Sequence, residues 1–185
     1  LKEKNIIVVH VVSSSKFAKK AEDAGCDAVV AEGFEAGGHN GREETTTLVL
    51  IPAVKKAISI PLIAAGGIAT GRQMLACMVL GADAVQIGSR FVCTHEASSH
   101  INFKNEILKA EEGDTLLSMK KVVPVRLLKN NFRARAKKGM FEGDIADGEL
   151  EIGQVSSLIR EIKPAAEIVH EIWNEFSEAL KNPIH

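Results

Sequence analysis

Residues Ile60–Arg90 read IPLIAAGGIATGRQMLACMVLGADAVQIGSR. IPLIAAGGI is short and continuously apolar, the composition of a strand covered on both faces. TGRQMLACMVLG is long enough for a helix and closes at Gly81, where glycine commonly follows the last helical turn. ADAVQIGSRFV, Ala82–Val92, predicts another strand running into a loop. Strand, helix and strand at these intervals make a parallel βα unit with a right-handed crossover.

The alternation extends towards the amino end. NIIVVHVV (Asn5–Val12) predicts a first strand buried on both faces, with His10 as a satisfied core residue. SSSKFAKKAEDAG predicts a serine-capped helix whose Phe17, Ala18, Ala21 and Ala24 recur at helical spacing before Gly25. CDAVVAEG is a second strand. TTTLVLIPAVKKAI reads as a threonine-capped helix in which Pro52 is tolerated only near the start. The fold class is therefore α/β, and two architectures qualify: a (βα)8 barrel or a doubly wound sheet.

Beyond Val92 the pattern loosens. INFKNEILKAEEGDT predicts an amphipathic helix. VVPVRLLKNNFRARAKKG is basic and interrupted by Pro124, and its Lys and Arg residues read as a solvated surface. PAAEIVHEIWNEFSEALK is a terminal helix with Ile168, Val169, Ile172, Trp173, Phe176 and Leu180 in one stripe. Trp173 is expected in the core.

Bulk properties exclude several classes. The 185 residues are 45 % hydrophobic and 25 % charged, a globular balance with enough chain for one core. A formal net charge of −1 argues against nucleic acid or an anionic membrane as partner. No apolar run is long enough to span a bilayer, and no leader opens the chain. The three cysteines, Cys26, Cys77 and Cys93, form no C-x-x-C pair, which fits buried thiols in a reduced cytoplasm. The six histidines have no metal-ligand spacing, so no metal is expected.

The chemistry gathers where strands end. In parallel barrels those ends and the loops that follow face the active site. Gly66 and Gly67 end one strand, and Gly88 and Ser89 end the next. Glycine leaves amides unobstructed, so two such turns can cradle a phosphate. The alternative is that they only make tight βα turns. AEGFEAGGHNG, Ala31–Gly41, follows the second strand. Gly37 and Gly38 would let the backbone pass beneath a flat ligand with His39 over its face. Histidine is the side chain whose charge changes near neutral pH, so His39 is a candidate general acid or base. The alternative is a histidine bonded only to its own loop. Glu35 either orients the ring or caps a backbone amide.

EGFEAGGHNG, IPLIAAGGIATGR and LGADAVQIGSRFV, in this order and spacing, resemble the nitronate monooxygenase (2-nitropropane dioxygenase) family, which includes the FMN-dependent enoyl-acyl-carrier-protein reductase II. The resemblance runs from about Asn5 to Arg133 and resumes at GDIADGELEIGQVSSLIREIKPAAEI. It implies a parallel (βα) barrel of the TIM type, of which this chain carries the C-terminal half. Residues 1–100 would supply about four βα units of an FMN-binding barrel. Residues 101–185 would form a helical and irregular segment that returns to pack on it. It further implies that Gly66, Gly67, Gly88 and Ser89 hold the FMN phosphate. Ala36, Gly37, Gly38 and Gln154 would lie near the flavin, and His39 would transfer the proton. The sequence departs from the family pattern at Glu151, where an apolar residue is common. It also lacks a longer segment between Lys138 and Gly143.

Two chemistries follow from the resemblance: oxidation of alkyl nitronates by oxygen, or reduction of an enoyl thioester on acyl carrier protein with NAD(P)H as donor. TTTLVL leans towards the second. The expected organisation is a homo-oligomer or a half-barrel completed by an N-terminal half. A non-catalytic half-barrel is the alternative of a different class. An IMP dehydrogenase relative would need a cysteine between Gly33 and Gly41, and none is there.

Overall fold

The computed structural model describes residues 1–130 and 138–183. In chain order its regular elements are β1 (Val9–Val12), α1 (Ser15–Asp23), β2 (Ala28–Glu32), β3 (Gly38–His39), α2 (Thr47–Lys55), β4 (Leu62–Ala65) and α3 (Gly71–Val79). There follow β5 (Ala84–Gln86), α4 (Ser89–Val92), α5 (Ile101–Lys109), β6 (Thr115–Ser118), β7 (Val125–Leu128), α6 (Lys138–Glu142) and α7 (Ala165–Lys181).

Four strands form a parallel sheet in the order β1-β2-β4-β5, so each successive βα unit adds its strand on the same side. Val29 pairs with Leu62 and Ala64 with Val85, which aligns the strand ends carrying Glu32, Gly66 and Gly88 along one edge. The core between sheet and helices is built from Val12, Val29, Ala31, Leu62 and Ala64, packed on Ala18, Ala21, Leu50, Ile51, Val54 and Cys77.

Local chemistry explains the joints. Ser14 accepts from the Phe17 amide and caps α1. Thr70 and Gln73 close a reciprocal capping box on α3, satisfying two orphan amides. A short repeat then starts two of the strands. Gly25-Cys26-Asp27-Ala28 and Gly81-Ala82-Asp83-Ala84 each place a left-handed glycine after a helix, at φ +84° and +110°. Each aspartate then accepts the amide of the neighbouring strand's lead-in: Asp27 from Val8 at 2.7 Å, Asp83 from Leu62 at 2.9 Å. The same Gly-x-Asp-Ala device ties each strand to its neighbour on both sides of the sheet.

Several expectations from the sequence need correction. Only Val9–Val12 of the first apolar run is a strand, and Val9, His10 and Val11 are exposed. β1 is an edge strand, so no element covers His10 in the way a core position requires. Pro52 is the sixth residue of α2 rather than near its start. That helix tolerates the lost amide because Leu50, Ile51 and Val54 are buried beside it. The Thr46 side chain makes no cap bond. After β5 the chain enters the short helix α4, not a loop. The last part of the chain is not only helical and irregular. β6 and β7 form an antiparallel pair joined by β3 into a second, three-stranded sheet. Within the basic stretch Arg126 is buried rather than solvated, and the part at residues 131–137 lies outside the described residues. On α7, Ile168, Ile172 and Phe176 face inward, whereas Val169, Leu180 and Trp173 are exposed, the last by 56 %. α7 packs on α3 through Gly71, which leaves no room for a side chain against the α7 backbone. Among the described residues nothing buries its second apolar flank.

The cysteines behave as small hydrophobes. Burial pushes the Cys77 and Cys93 thiols up to about 11. Among the described residues no helix is long and apolar enough to cross a membrane, and no His, Cys, Asp and Glu side chains are grouped to hold a metal ion.

Candidate functional site

The strand ends converge on a cavity of about 220 Å³. Its lining brings together Ala36, Gly37, Gly66, Gly67, Gly88 and Ser89, six positions taken from the sequence. Gly38, His39 and Gln154 are not in that lining. Gln154 instead borders an adjoining cavity of about 660 Å³, which shares Glu35, Gly67 and Val155 with the first. His39 is exposed on β3, directly after Gly38. Sequence reasoning missed Glu32 and Gln86 as lining residues and singled out Glu151 only as a departure from the family pattern. Glu32 and Gln86 end β2 and β5, and that position was the available signal.

The glycine turn after β4 has a stereochemical cause. Gly66 and Gly67 are both left-handed, at φ +87° and +70°. A Cβ on Gly66 would stand 2.7 Å from the Gly33 carbonyl oxygen. These residues therefore make the tight βα turn and also present bare backbone to the cavity. Gly88 is different. It has no positive φ, and a Cβ there would meet nothing within 4 Å. Space on the cavity side, not strain, is what its lack of a side chain provides. Among the described residues no hydrogen-bond acceptor meets the amides of Gly67, Gly88 or Ser89.

The histidine loop is clasped from behind. Glu35 accepts from the Thr47 amide at 3.0 Å, so its carboxylate supplies the α2 cap that Thr46 does not. The Thr47 hydroxyl lies 2.9 Å from the Gly66 carbonyl and 3.0 Å from Glu35, linking the two loops. Gln154 donates its amide to the Glu35 carbonyl at 2.9 Å. Gly37 meets Gly153 back to back: a Cβ on Gly37 would lie 2.6 Å from the Gly153 nitrogen. The Gly153 amide donates to Ser89 Oγ at 2.9 Å, so residues 151–154 join the histidine loop to the second glycine turn. Asn40 donates from Nδ2 to the carbonyls of Ala36 and Gly38, at 2.9 and 3.1 Å.

The charges are distributed unevenly. Glu32, Glu35 and Glu151 line the cavity, and among the described residues no lysine, arginine or histidine does. Burial raises the Glu32 carboxyl above the usual carboxylate range. Among the described residues, the groups that suit an anion are the amides and the hydroxyl at the Gly67–Gly88–Ser89 end. The acidic end suits hydroxyl and N–H donors. A ligand with a phosphate at one end and hydroxyl and ring N–H groups at the other matches this donor set, and FMN is such a ligand.

The nitronate monooxygenase family profile matches residues 1–138. The chain belongs to the nitronate monooxygenase family. A probable nitronate monooxygenase of Staphylococcus aureus strain JH9 is 37 % identical over 177 residues, covering 91 % of this chain and 48 % of that protein. The chain thus spans about half the length of the curated relatives it matches. FabK from Thermotoga maritima, as its M276A mutant, superposes with a TM-score of 0.93 at 42 % identity, over 99 % of this chain and 63 % of that one. Nitroalkane oxidase from Streptomyces ansochromogenes superposes with a TM-score of 0.86 at 29 % identity, over 98 % and 60 %. These neighbours bear out the parallel (βα) class, of which this chain contributes four strands.

Proposed function

We propose that this chain carries the cofactor-phosphate and proton-transfer half of an FMN-dependent oxidoreductase acting on alkyl nitronates. The observation that carries the reading is the pair of glycine turns whose unpartnered amides meet at one cavity beside a clasped histidine loop. Gly66, Gly67, Gly88 and Ser89 would hold the phosphate. Ser89 Oγ already accepts from Gly153, which leaves its own proton to donate to a phosphate oxygen. Glu32, Gln86 and Glu151 would accept from or donate to the polyol and ring edge, with Ala36 and Gly37 forming the wall and Gly38 leading from it to His39. Gln154 borders the larger adjoining cavity, where substrate would enter. Bound FMN would supply the two-electron redox chemistry. The chain's own contribution would be to fix the ligand and, through the His39 imidazole, to move a proton to or from the substrate.

The greater likeness to FabK than to the nitroalkane oxidase favours a second reading, reduction of an enoyl thioester with NAD(P)H. Oxygen uptake with a nitronate, against NADH consumption with a crotonyl thioester, separates the two. His39→Ala should leave FMN affinity within a few-fold and lower turnover by about 10²–10⁴. Unchanged turnover would remove His39 from the reaction.

A further inference from the structure

A buried cation lies behind the site. Arg126, on β7, is 3 % exposed, and its backbone pairs with Gly38 across the second sheet. Its Nε donates to the Phe34 carbonyl at 3.0 Å and its Nη1 to Thr115 Oγ1 at 3.2 Å. The guanidinium lies over the Phe34 ring, 4.3 Å from the centroid. Its Nη2 is buried with no partner. Among the described residues no carboxylate forms an ion pair with it. Glu35 and Glu44 act on it only at longer range, and burial lowers its pKa.

For stability alone this is a poor arrangement. A buried charge without a counter-ion is costly, and a well-packed apolar residue in its place is commonly neutral or stabilising. Arg126 does, however, grip Phe34 by carbonyl and ring together, a combination of planar fork and flat face that lysine lacks. Phe34 stands between Gly33, whose carbonyl abuts Gly66, and Glu35, whose carboxylate ties to Thr47. The other clasps act on Glu35, Ala36, Gly37 and Gly38. Among the described residues the only other hydrogen bond of Phe34 is its amide to the Thr45 carbonyl, at 2.9 Å.

We propose that Arg126 is a positioning residue: by locking Phe34 it holds the 33–40 loop, and with it His39, in the geometry the cavity needs. Its effect on the loop is independent of any ligand, whereas its effect on cofactor affinity rests on the flavin reading above.

The test uses the full chain with Arg126→Met and Arg126→Lys, read by amide hydrogen exchange over residues 34–40, thermal midpoint and FMN titration by flavin fluorescence. Arg126→Met should keep a midpoint within about 4 °C of the parent. Loss of a charged hydrogen bond should speed exchange at 36–40 by about 10- to 100-fold and weaken FMN by a similar factor. Arg126→Lys should also loosen the loop, because it retains the charge and loses the fork. Parental exchange in either variant would overturn the proposal, as would unfolding of both, which would make Arg126 a structural residue. A parent that binds no FMN would remove the flavin reading and leave the exchange measurement to decide Arg126.

Discussion

The centre and the edges of the parallel sheet are built from similar letters and end in different surroundings. In β2 and β4, Val29, Val30, Leu62 and Ala64 are sealed, none more than 2 % exposed. In β1, Val9 and Val11 are each 47 % exposed, and Ala84 and Gln86 of β5 are exposed as well. Apolar, β-branched composition therefore specifies that a strand forms, while the neighbours on either side decide what the strand buries. Some of the exposed apolar residues belong to the edge-strand unit, Ile6, Ile7, Val9, Val11 and Phe17, and others to α3 and α7, Val79, Val169, Trp173 and Leu180. An open parallel sheet with apolar flanks is an edge that other structure would cover.

Truncation should break the symmetry between centre and edge most visibly. Leu62→Ala removes a fully buried side chain and should cost about 2–5 kcal/mol in urea unfolding. Val11→Ala, half exposed at the edge, should stay within about 0.5 kcal/mol. Equal losses would mean that β1 is covered in solution.

A smaller effect is expected at the clasp between loop and cavity. Gly153→Ala would set a Cβ 2.8 Å from both the Glu35 carbonyl and Ser89 Oγ. Forcing these apart should cost about 1–3 kcal/mol and should weaken FMN at the same time. The same substitution at the edge-turn glycine Gly113, where a Cβ meets nothing, should leave FMN affinity unchanged despite its left-handed φ of +85°.

The smallest effect is a pH dependence. Glu22 joins α1 to the lead-in of β4, accepting from Ser59 and Ile60 amides and the Ser59 hydroxyl. The Lys19 ammonium, and then Ser59, hold its carboxyl down from 4.5 to about 2. A depressed carboxyl stabilises the fold above its unfolded value, and that contribution fades as pH falls from about 4.5 towards 2. Glu22→Gln should flatten stability against pH across that window and change little at pH 7.

Much of this architecture was legible because its signals are local. The βα alternation, the Ser14 cap, Gly25 and Gly81, and the glycine pair 66–67 each depend on residues a few positions apart. The failures share one cause, which is dependence on distant chain. His10 and Trp173 read as core because their neighbours in sequence are apolar, yet among the described residues no element buries them. β7 was hidden in a basic stretch because Arg126 is buried by Phe34, far away in sequence. α2 was expected to be capped by threonine and is capped by Glu35. The site was half legible for the same reason. Glycines at strand ends could be found one loop at a time, whereas the back-to-back contact of Gly37 with Gly153 exists only once residues 151–154 fold onto the loop.

Titration of the full-length chain with FMN tests the central claim most directly. Flavin fluorescence should be quenched to saturation at one FMN per chain, and a bulky residue in place of Gly66 should abolish the quenching while α-helical circular dichroism persists. Flavin that stays fully fluorescent and separates from a colourless, folded chain would contradict the account.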